Sequence, residues 1–327
     1  MTAPCLTLKS GGKMPQVGLG MWKIPPTQVV ETVVAAIDCG YRHFDSACDY
    51  GNEVQTGEGL AQAFSSGKCR RDEVWVTSKL WNTYHAPEHV RPALERQLAD
   101  LQLDYLDLYL IHFPIAQAFV PFEKRYPPGW FFDPSATNPR MEFAKVPIHE
   151  TWRAMEELVK AGLVRHIGIS NFTSGMIRDL LTYAEVMPEV LQIELHPLLT
   201  QEKLVRYAQE EGMVVTAFSS LGSPSYVPLQ MADPSESLLN HPTIMEIGQE
   251  TGKTSAQVLL RWAIERQLVV IPKTTKRERL LENIDLFDFQ LDGAQIAAIS
   301  ALNRNRRFND PADFGETTFN TFCPIYD

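Results

Sequence analysis

The sequence predicts an α/β protein whose parallel sheet closes into a (β/α)8 barrel of the TIM class, with residues 1–327 as one domain. Three observations predict it. Eight short apolar runs are each followed by a segment of helical spacing, the alternation that builds a parallel sheet with crossover helices. Seven of the eight runs end in polar side chains, as barrel strands do where their C-terminal ends line a site. No GxGxxG follows the first run. Gly18-Leu19-Gly20 lacks the third glycine and the helix it should open, which counts against the runner-up, a doubly wound open sheet.

The chain opens as a hairpin, with Leu6-Thr7-Leu8 and Met14-Pro15-Gln16-Val17 flanking the turn-forming Ser10-Gly11-Gly12-Lys13. The barrel strands are expected at 17–21, 42–45, 74–79, 105–112, 164–170, 190–195, 213–219 and 268–272. Helical patterns fall between them at 27–38, 52–64, 87–101, 148–161, 173–183, 201–210, 255–265 and 276–283. In the third helix, Val90, Ala93, Leu94, Leu98 and Leu101 recur at helical spacing, and Pro87 stands near the start, where its missing donor costs nothing. Two extra helices are expected at 242–250 and 292–302. The insert 114–146, rich in Pro and Phe and holding Trp130, reads as a loop over one mouth of the barrel. The tail from Arg304 to Asp327 shows little regular pattern and is expected as a long C-terminal loop. It carries Phe308, Phe314, Phe319, Phe322 and Tyr326, so it is expected to pack against another part of the molecule.

Composition excludes several classes. A hydrophobic content of 44% with 21% charged residues over 327 positions is ample for a large core. A net charge of −10 disfavours a nucleic-acid surface, and its plainest meaning is an acidic, soluble exterior. The five cysteines are odd in number and scattered, with no CxxC pair. They fit reduced thiols in a cytoplasmic protein and argue against a disulfide framework or a zinc site. No basic region followed by an apolar stretch opens the chain, and no run of 18 apolar residues occurs. Neither a signal peptide nor a membrane span is expected.

Read in order, the strand ends give Asp45, Lys79, His112, Ser170-Asn171, Gln192 with Glu194, Ser219 and Lys273, and Tyr50 lies five residues after Asp45. A free phenol titrates near about 10, too high for an efficient proton donor near neutrality. A neighbouring Lys79 ammonium would stabilise the phenolate and lower that value. Asp45 would keep Lys79 charged and in place, and His112 could hydrogen-bond a carbonyl oxygen. The chemistry this suggests is polarisation of a C=O group and protonation of its oxygen as a hydride reaches the carbon. Taken singly, each residue has a plainer explanation: a capping aspartate, a solvated lysine, a satisfied core histidine and a packing tyrosine. The signal is their conjunction on three adjacent strand ends.

A second pattern follows the last strand. Ile271-Pro272-Lys273-Thr274-Thr275-Lys276-Arg277-Glu278-Arg279 places four basic residues within seven positions at the start of a helix. Cations there oppose the helix dipole, so either a solvated first turn or a bound anion must offset them. The loops after strands seven and eight of a barrel often hold phosphate, which favours the anion.

These residues match a known family. The segment His43-Phe44-Asp45-Ser46-Ala47-Cys48-Asp49-Tyr50-Gly51-Asn52-Glu53 resembles the first signature of the aldo-keto reductases, and Leu106-Asp107-Leu108-Tyr109-Leu110-Ile111-His112-Phe113-Pro114 resembles the second. Gly168-Ile169-Ser170-Asn171-Phe172 and Gln192-Ile193-Glu194-Leu195-His196-Pro197 are family-like too. Ile271-Pro272-Lys273, with Arg279, Glu282 and Asn283, resembles the third signature. The resemblance runs nearly end to end. It implies a barrel that binds extended NADPH, with NADH possible, and Tyr50 as general acid supported by Asp45, Lys79 and His112. It implies that Ser170, Asn171 and Gln192 hold the nicotinamide carboxamide. Lys273, Thr274 and Arg279 would hold the adenosine 2′-phosphate, Glu282 and Asn283 the adenine, and Ser219, Leu221 and Ser223 the loop over the pyrophosphate. The position that stacks on nicotinamide is commonly Tyr in the family and is Phe218 here. Thr274-Thr275 stands where many relatives have Ser followed by Asn or Val, which leaves the NADPH/NADH ratio open.

Within the family, Tyr126-Pro127-Pro128-Gly129, Arg307-Phe308-Asn309-Asp310-Pro311 and Phe113 resemble the xylose reductases. That likeness implies a small sugar or aldehyde as partner, with Asp49 and Asn309 on sugar hydroxyls and Trp22 and Phe113 against the substrate. Leu80-Trp81-Asn82 is shared with plant aldose-6-phosphate reductases, so a sugar phosphate stays open, as does a non-catalytic barrel that keeps the cofactor pocket. Relatives occur as monomers and homodimers, and no motif here decides between them.

Overall fold

A computed structural model describes residues 3–326. Met1 and Thr2, where the stretch read as lacking a signal peptide begins, and Asp327 of the tail lie outside the described residues. The hairpin strands are β1 (Cys5–Thr7) and β2 (Lys13–Pro15). Eight further strands form one parallel sheet in sequence order: β3 (Leu19–Gly20), β4 (His43–Asp45), β5 (Trp75–Leu80), β6 (Leu106–Ile111), β7 (Val164–Ser170), β8 (Val190–Glu194), β9 (Val214–Phe218) and β10 (Leu268–Val270). A parallel bridge from Val17 to Val270 joins the first of these runs to the last. Gly18 N donates to Val270 O and Gly20 N to Pro272 O, so the sheet closes on itself. The closure is tight. A Cβ on Gly20 would lie 2.6 Å from Ile271 O, and one on Gly18 would lie 2.7 Å from the His43 ring.

Strand parity decides what faces the barrel axis. Trp75, Leu108, Leu110, Val190, Val214 and Val269 form an inner cluster. Their neighbours Val76, Tyr109, Ile111, Leu191, Val215 and Val270 belong to the outer core. The same parity sends Asp45, Lys79, Gln192 and Glu194 inward, above that apolar filling and toward the C-terminal mouth. The opposite end is stoppered by the hairpin, whose Leu8 and Met14 join the inner cluster. Each side chain buried so fully contributes about 1.5–3 kcal/mol.

The hairpin is also latched by charge. Ser10 N donates to Glu189 Oε1 at 2.7 Å, and His166 Nδ1 lies 2.5 Å from Glu189 Oε2. Burial would raise the Glu189 carboxyl, but the bonds from His166 and Ser10 outweigh it and hold that carboxyl below its usual value. The latch is therefore complete at neutral pH and is lost as pH falls through the carboxylate range.

The helices are α1 (Pro26–Asp38), α2 (Glu53–Ser65), α3 (Pro87–Leu101), α4 (Ile148–Lys160), α5 (Ser174–Leu180), α6 (Glu202–Glu210), α7 (Pro242–Thr251), α8 (Ser255–Glu265), α9 (Arg277–Ile284), α10 (Gly293–Ser300) and α11 (Pro311–Phe319). Helices α7 and α10 are the two extras expected from the sequence. Helix α11 is not: it lies in the tail read as patternless. Its start is local, with Asp310 accepting from Ala312 N and Pro311 preset for the first turn. It is short, and only Pro311, Phe314 and Gly315 are buried, so no long periodicity marks it.

The tail's aromatic residues do pack. Trp130 of the insert lies 5.1 Å from Phe314 and 5.7 Å from Phe319, ring to ring, and Trp81 lies 4.9 Å from Trp130. Met141 N donates to Thr321 Oγ1 at 2.9 Å. Insert and tail together roof the C-terminal mouth.

Candidate active site

Lys79 sits at the floor of that mouth, fully buried, on strand β5 between β4 and β6. Its Nζ donates 2.6 Å to Asp45 Oδ1, 2.7 Å to Ser46 O and 3.2 Å to Tyr50 Oη. An ammonium has three donors, and all three are used. The second carboxylate oxygen of Asp45 accepts from Gln192 Nε2 at 2.7 Å. Because Tyr50 Oη accepts from Lys79, its own proton is directed away from that ammonium.

The expectation that Lys79 lowers the Tyr50 phenol is corrected by these contacts. Burial pushes the phenol well above its ordinary value, and Asp45 and Asp49 push it further. The reason is that the phenol is largely withdrawn from water and faces the carboxylates of Asp45 and Asp49 beside the single Lys79 ammonium. The phenol keeps its proton and remains oriented.

His112 follows β6, with its N donating to Leu80 O at 3.1 Å. Its ring stands edge-on to Tyr50, with centroids 5.9 Å apart, and stacks on Phe113 at 4.9 Å. Asp49 Oδ1 lies 3.1 Å from His112 Nδ1. The angle is too poor for a hydrogen bond, and both atoms are buried without another partner among the described residues. With Nδ1 buried, Nε2 is the ring nitrogen left to face the cavity.

The cavity above these groups has a volume of about 770 Å³. Trp22, Asp45, Asp49, Tyr50, His112, Phe113 and Asn309 line one part of it. Ser170, Asn171, Gln192, Phe218, Ser219 and Leu221 line the middle, and Lys273 and Arg279 the far part. Five of the sequence candidates are not on its wall: Lys79, fully buried beneath it, and Ser223, Thr274, Glu282 and Asn283. Ser223 is buried, with no partner for Oγ among the described residues. Thr274 is buried and caps the next helix by accepting from Lys276 N at 3.1 Å. Glu282 accepts from Thr254 Oγ1 at 2.6 Å, and Asn283 is buried.

This geometry and the signatures point the same way. The Aldo/keto reductase family model matches residues 14–304. The chain belongs to the aldo/keto reductase family. A probable NAD(P)H-dependent D-xylose reductase of Aspergillus clavatus is 50% identical over 313 residues, covering 95% of this chain and 94% of that one. A protein of the same description from Aspergillus flavus is 46% identical over the whole of both chains. Among solved structures, the aldose reductase of Schistosoma japonicum superposes with a TM-score of 0.86 at 38% identity, covering 98% of this chain and 99% of that one. An aldo-keto reductase of Bombyx mori in complex with NADP gives 0.85 at 35% identity over the whole of both chains.

Other residues of this aldo/keto reductase site escaped the sequence reading. Lys23 lines the cavity, and its Nζ donates to Ser225 O at 2.6 Å, tying the loop after β3 to the loop after β9. Burial, and then the charge of Lys273, push its ammonium down to about 8. A lone lysine in a loop gives no signal that it will meet a second cation. Tyr226 Oη shares a 2.6 Å bond with Ser219 Oγ, and its ring stacks on Phe308 at 5.5 Å. Glu194, fully buried, accepts from Phe308 N at 2.7 Å, Asn309 N at 2.8 Å and His196 Nε2 at 2.9 Å. It ties the start of the tail, and hence Asn309, to strand β8. The sequence showed Glu194 at a strand end but not what it would hold.

Proposed function

We propose that this chain reduces open-chain aldoses such as D-xylose, and other small aldehydes, to the corresponding alcohols, with NADPH as the preferred cofactor and NADH as an alternative. The observation that carries the reading is the Asp45–Lys79–Tyr50 chain of bonds under a cavity that also presents His112 Nε2. The residues fit the cofactor. Lys23 and Lys273 are close enough for one to depress the other, a repulsion that a pyrophosphate would relieve. Gln192 lines the cavity and commits Nε2 to Asp45, which leaves its Oε1 without a bond within the described protein. Ser170, Asn171 and Gln192 would hold the nicotinamide carboxamide, Phe218 its ring, and Lys273 and Arg279 the phosphate on the adenosine.

Bound NADPH supplies the hydride. Tyr50 delivers its proton to the carbonyl oxygen, with Lys79 stabilising the phenolate that forms and Asp45 holding Lys79 in place. His112 Nε2 donates to the same oxygen and orients it. Asp49 and Asn309 bond the sugar hydroxyls while Trp22 and Phe113 exclude water. The carboxylate of Asp49 repels a phosphate in that part of the cavity, which favours a free aldose over a sugar phosphate. Free cysteines at all five positions suit a reducing, cytoplasmic setting.

The test is NADPH oxidation with D-xylose and with glucose 6-phosphate, side by side. Faster turnover of xylose is expected. No oxidation with any short aldose or aldehyde would overturn the reading and favour a non-catalytic barrel, and preference for the phosphate would overturn the substrate. Cofactor choice has its own check. Arg279→Ala is expected to weaken NADPH by about tenfold, the value of a charge-assisted bond, and NADH far less. Equal losses of the two cofactors in a binding titration would remove Arg279 from the 2′-phosphate.

A further inference from the structure

Tyr326 stands at the far end of the tail, yet its hydroxyl reaches the middle of the site. Tyr326 Oη donates to Asn171 Oδ1 at 3.1 Å. Asn171 is almost wholly buried, and its backbone φ of 64° lies in the left-handed region that asparagine tolerates. Its Nδ2 is committed elsewhere, donating to His112 O at 2.8 Å and Ser170 Oγ at 3.2 Å. Those bonds fix the amide so that Oδ1, with two lone pairs, is the remaining free end. Tyr326 takes one lone pair and leaves one. The phenol ring is itself held by Arg307, whose guanidinium lies 3.5 Å from the ring centroid. Arg307 is two residues from Asn309, so the two ends of the tail meet above Asn171.

We propose that Tyr326 is a positioning residue for the cofactor's carboxamide. Its phenol locks the Asn171 side chain so that the one free lone pair of Oδ1 faces the carboxamide N–H, while Nδ2 steadies the loop that carries His112. The inference rests on the reading of this cavity as the NADPH site with Asn171 at the carboxamide. Phenylalanine at position 326 keeps the ring and its contact with Arg307 and removes only the donor, so the fold is preserved.

The experiment is a fluorescence titration of NADPH into the parent protein and Tyr326→Phe, repeated with the acetylpyridine analogue, in which a methyl ketone replaces the carboxamide. Tyr326→Phe is expected to weaken NADPH about fivefold, the value of one neutral hydrogen bond, and to leave binding of the analogue unchanged. A Kd for NADPH equal to that of the parent overturns the inference. So does an equal loss for NADPH and the analogue, which would make Tyr326 a general support of the tail. Failure of the parent protein to bind NADPH at all would instead overturn the underlying reading.

Discussion

Replacing Tyr50 with phenylalanine is expected to lower turnover about a thousandfold, within the span that general acid catalysis supplies, while NADPH binds nearly as before. The physical ground is the direction of one proton. Tyr50 Oη accepts from Lys79 Nζ at 3.2 Å, so its own O–H points away from the ammonium. Burial keeps that proton on the phenol. Phenylalanine keeps the ring against His112 but has no proton to give, and His112 alone must then polarise the carbonyl. The measurement is a pre-steady-state hydride-transfer rate with D-xylose together with a binding titration of NADPH. Turnover within tenfold of the parent would remove Tyr50 from the acid role, and loss of NADPH binding would show that its main part is structural.

Lys79→Met should have two large effects. Lys79 and Asp45 are buried with side-chain exposures of 0% and 2%. Removing one partner leaves the other as an uncompensated charge, at a cost of about 3–5 kcal/mol. Gln192 and Ser46 cannot replace the ammonium, since only Gln192 Nε2 donates to Asp45 and Ser46 O is itself an acceptor. Turnover should fall as well, because the phenolate that forms on proton transfer loses its neighbouring cation. Urea denaturation separates the two effects. The double variant Asp45→Asn/Lys79→Met should regain most of the stability, because no charge is left buried, and none of the turnover. A single variant as stable as the parent would contradict the buried pair, and a double variant that regains turnover would contradict the role of Lys79.

The group of Asp45, Tyr50, Lys79 and His112 was legible because its strands are local in sequence. Asp45, Lys79 and His112 each end or follow an apolar run, and the order of those runs along the chain is also their order in the sheet. The basic stretch from Lys273 to Arg279 could be read because it is continuous, and the structure places Lys273 and Arg279 of it on the cavity wall. Contacts made by segments far apart were not legible. Lys23 meets Ser225 across 202 positions, and Tyr326 meets Asn171 across 155. Helix α11 was missed because it is short and buries few residues, so its periodicity is weak.

The sequence by itself determined the barrel, the side on which its site lies, and the residue types on the floor of that site. Periodicity of two and of 3.6 sets strand and helix, and the chain's alternation sets the sheet. Tertiary structure alone decided the direction in which the Tyr50 phenol is pushed, because that depends first on how far the ring is withdrawn from water and then on the carboxylates around it. It also decided that Thr274, Glu282 and Asn283 do not line the cavity, and that the tail returns to Asn171 and Glu194. Desolvation and hydrogen-bond partnership are properties of surroundings assembled from the whole chain, and no local pattern encodes them.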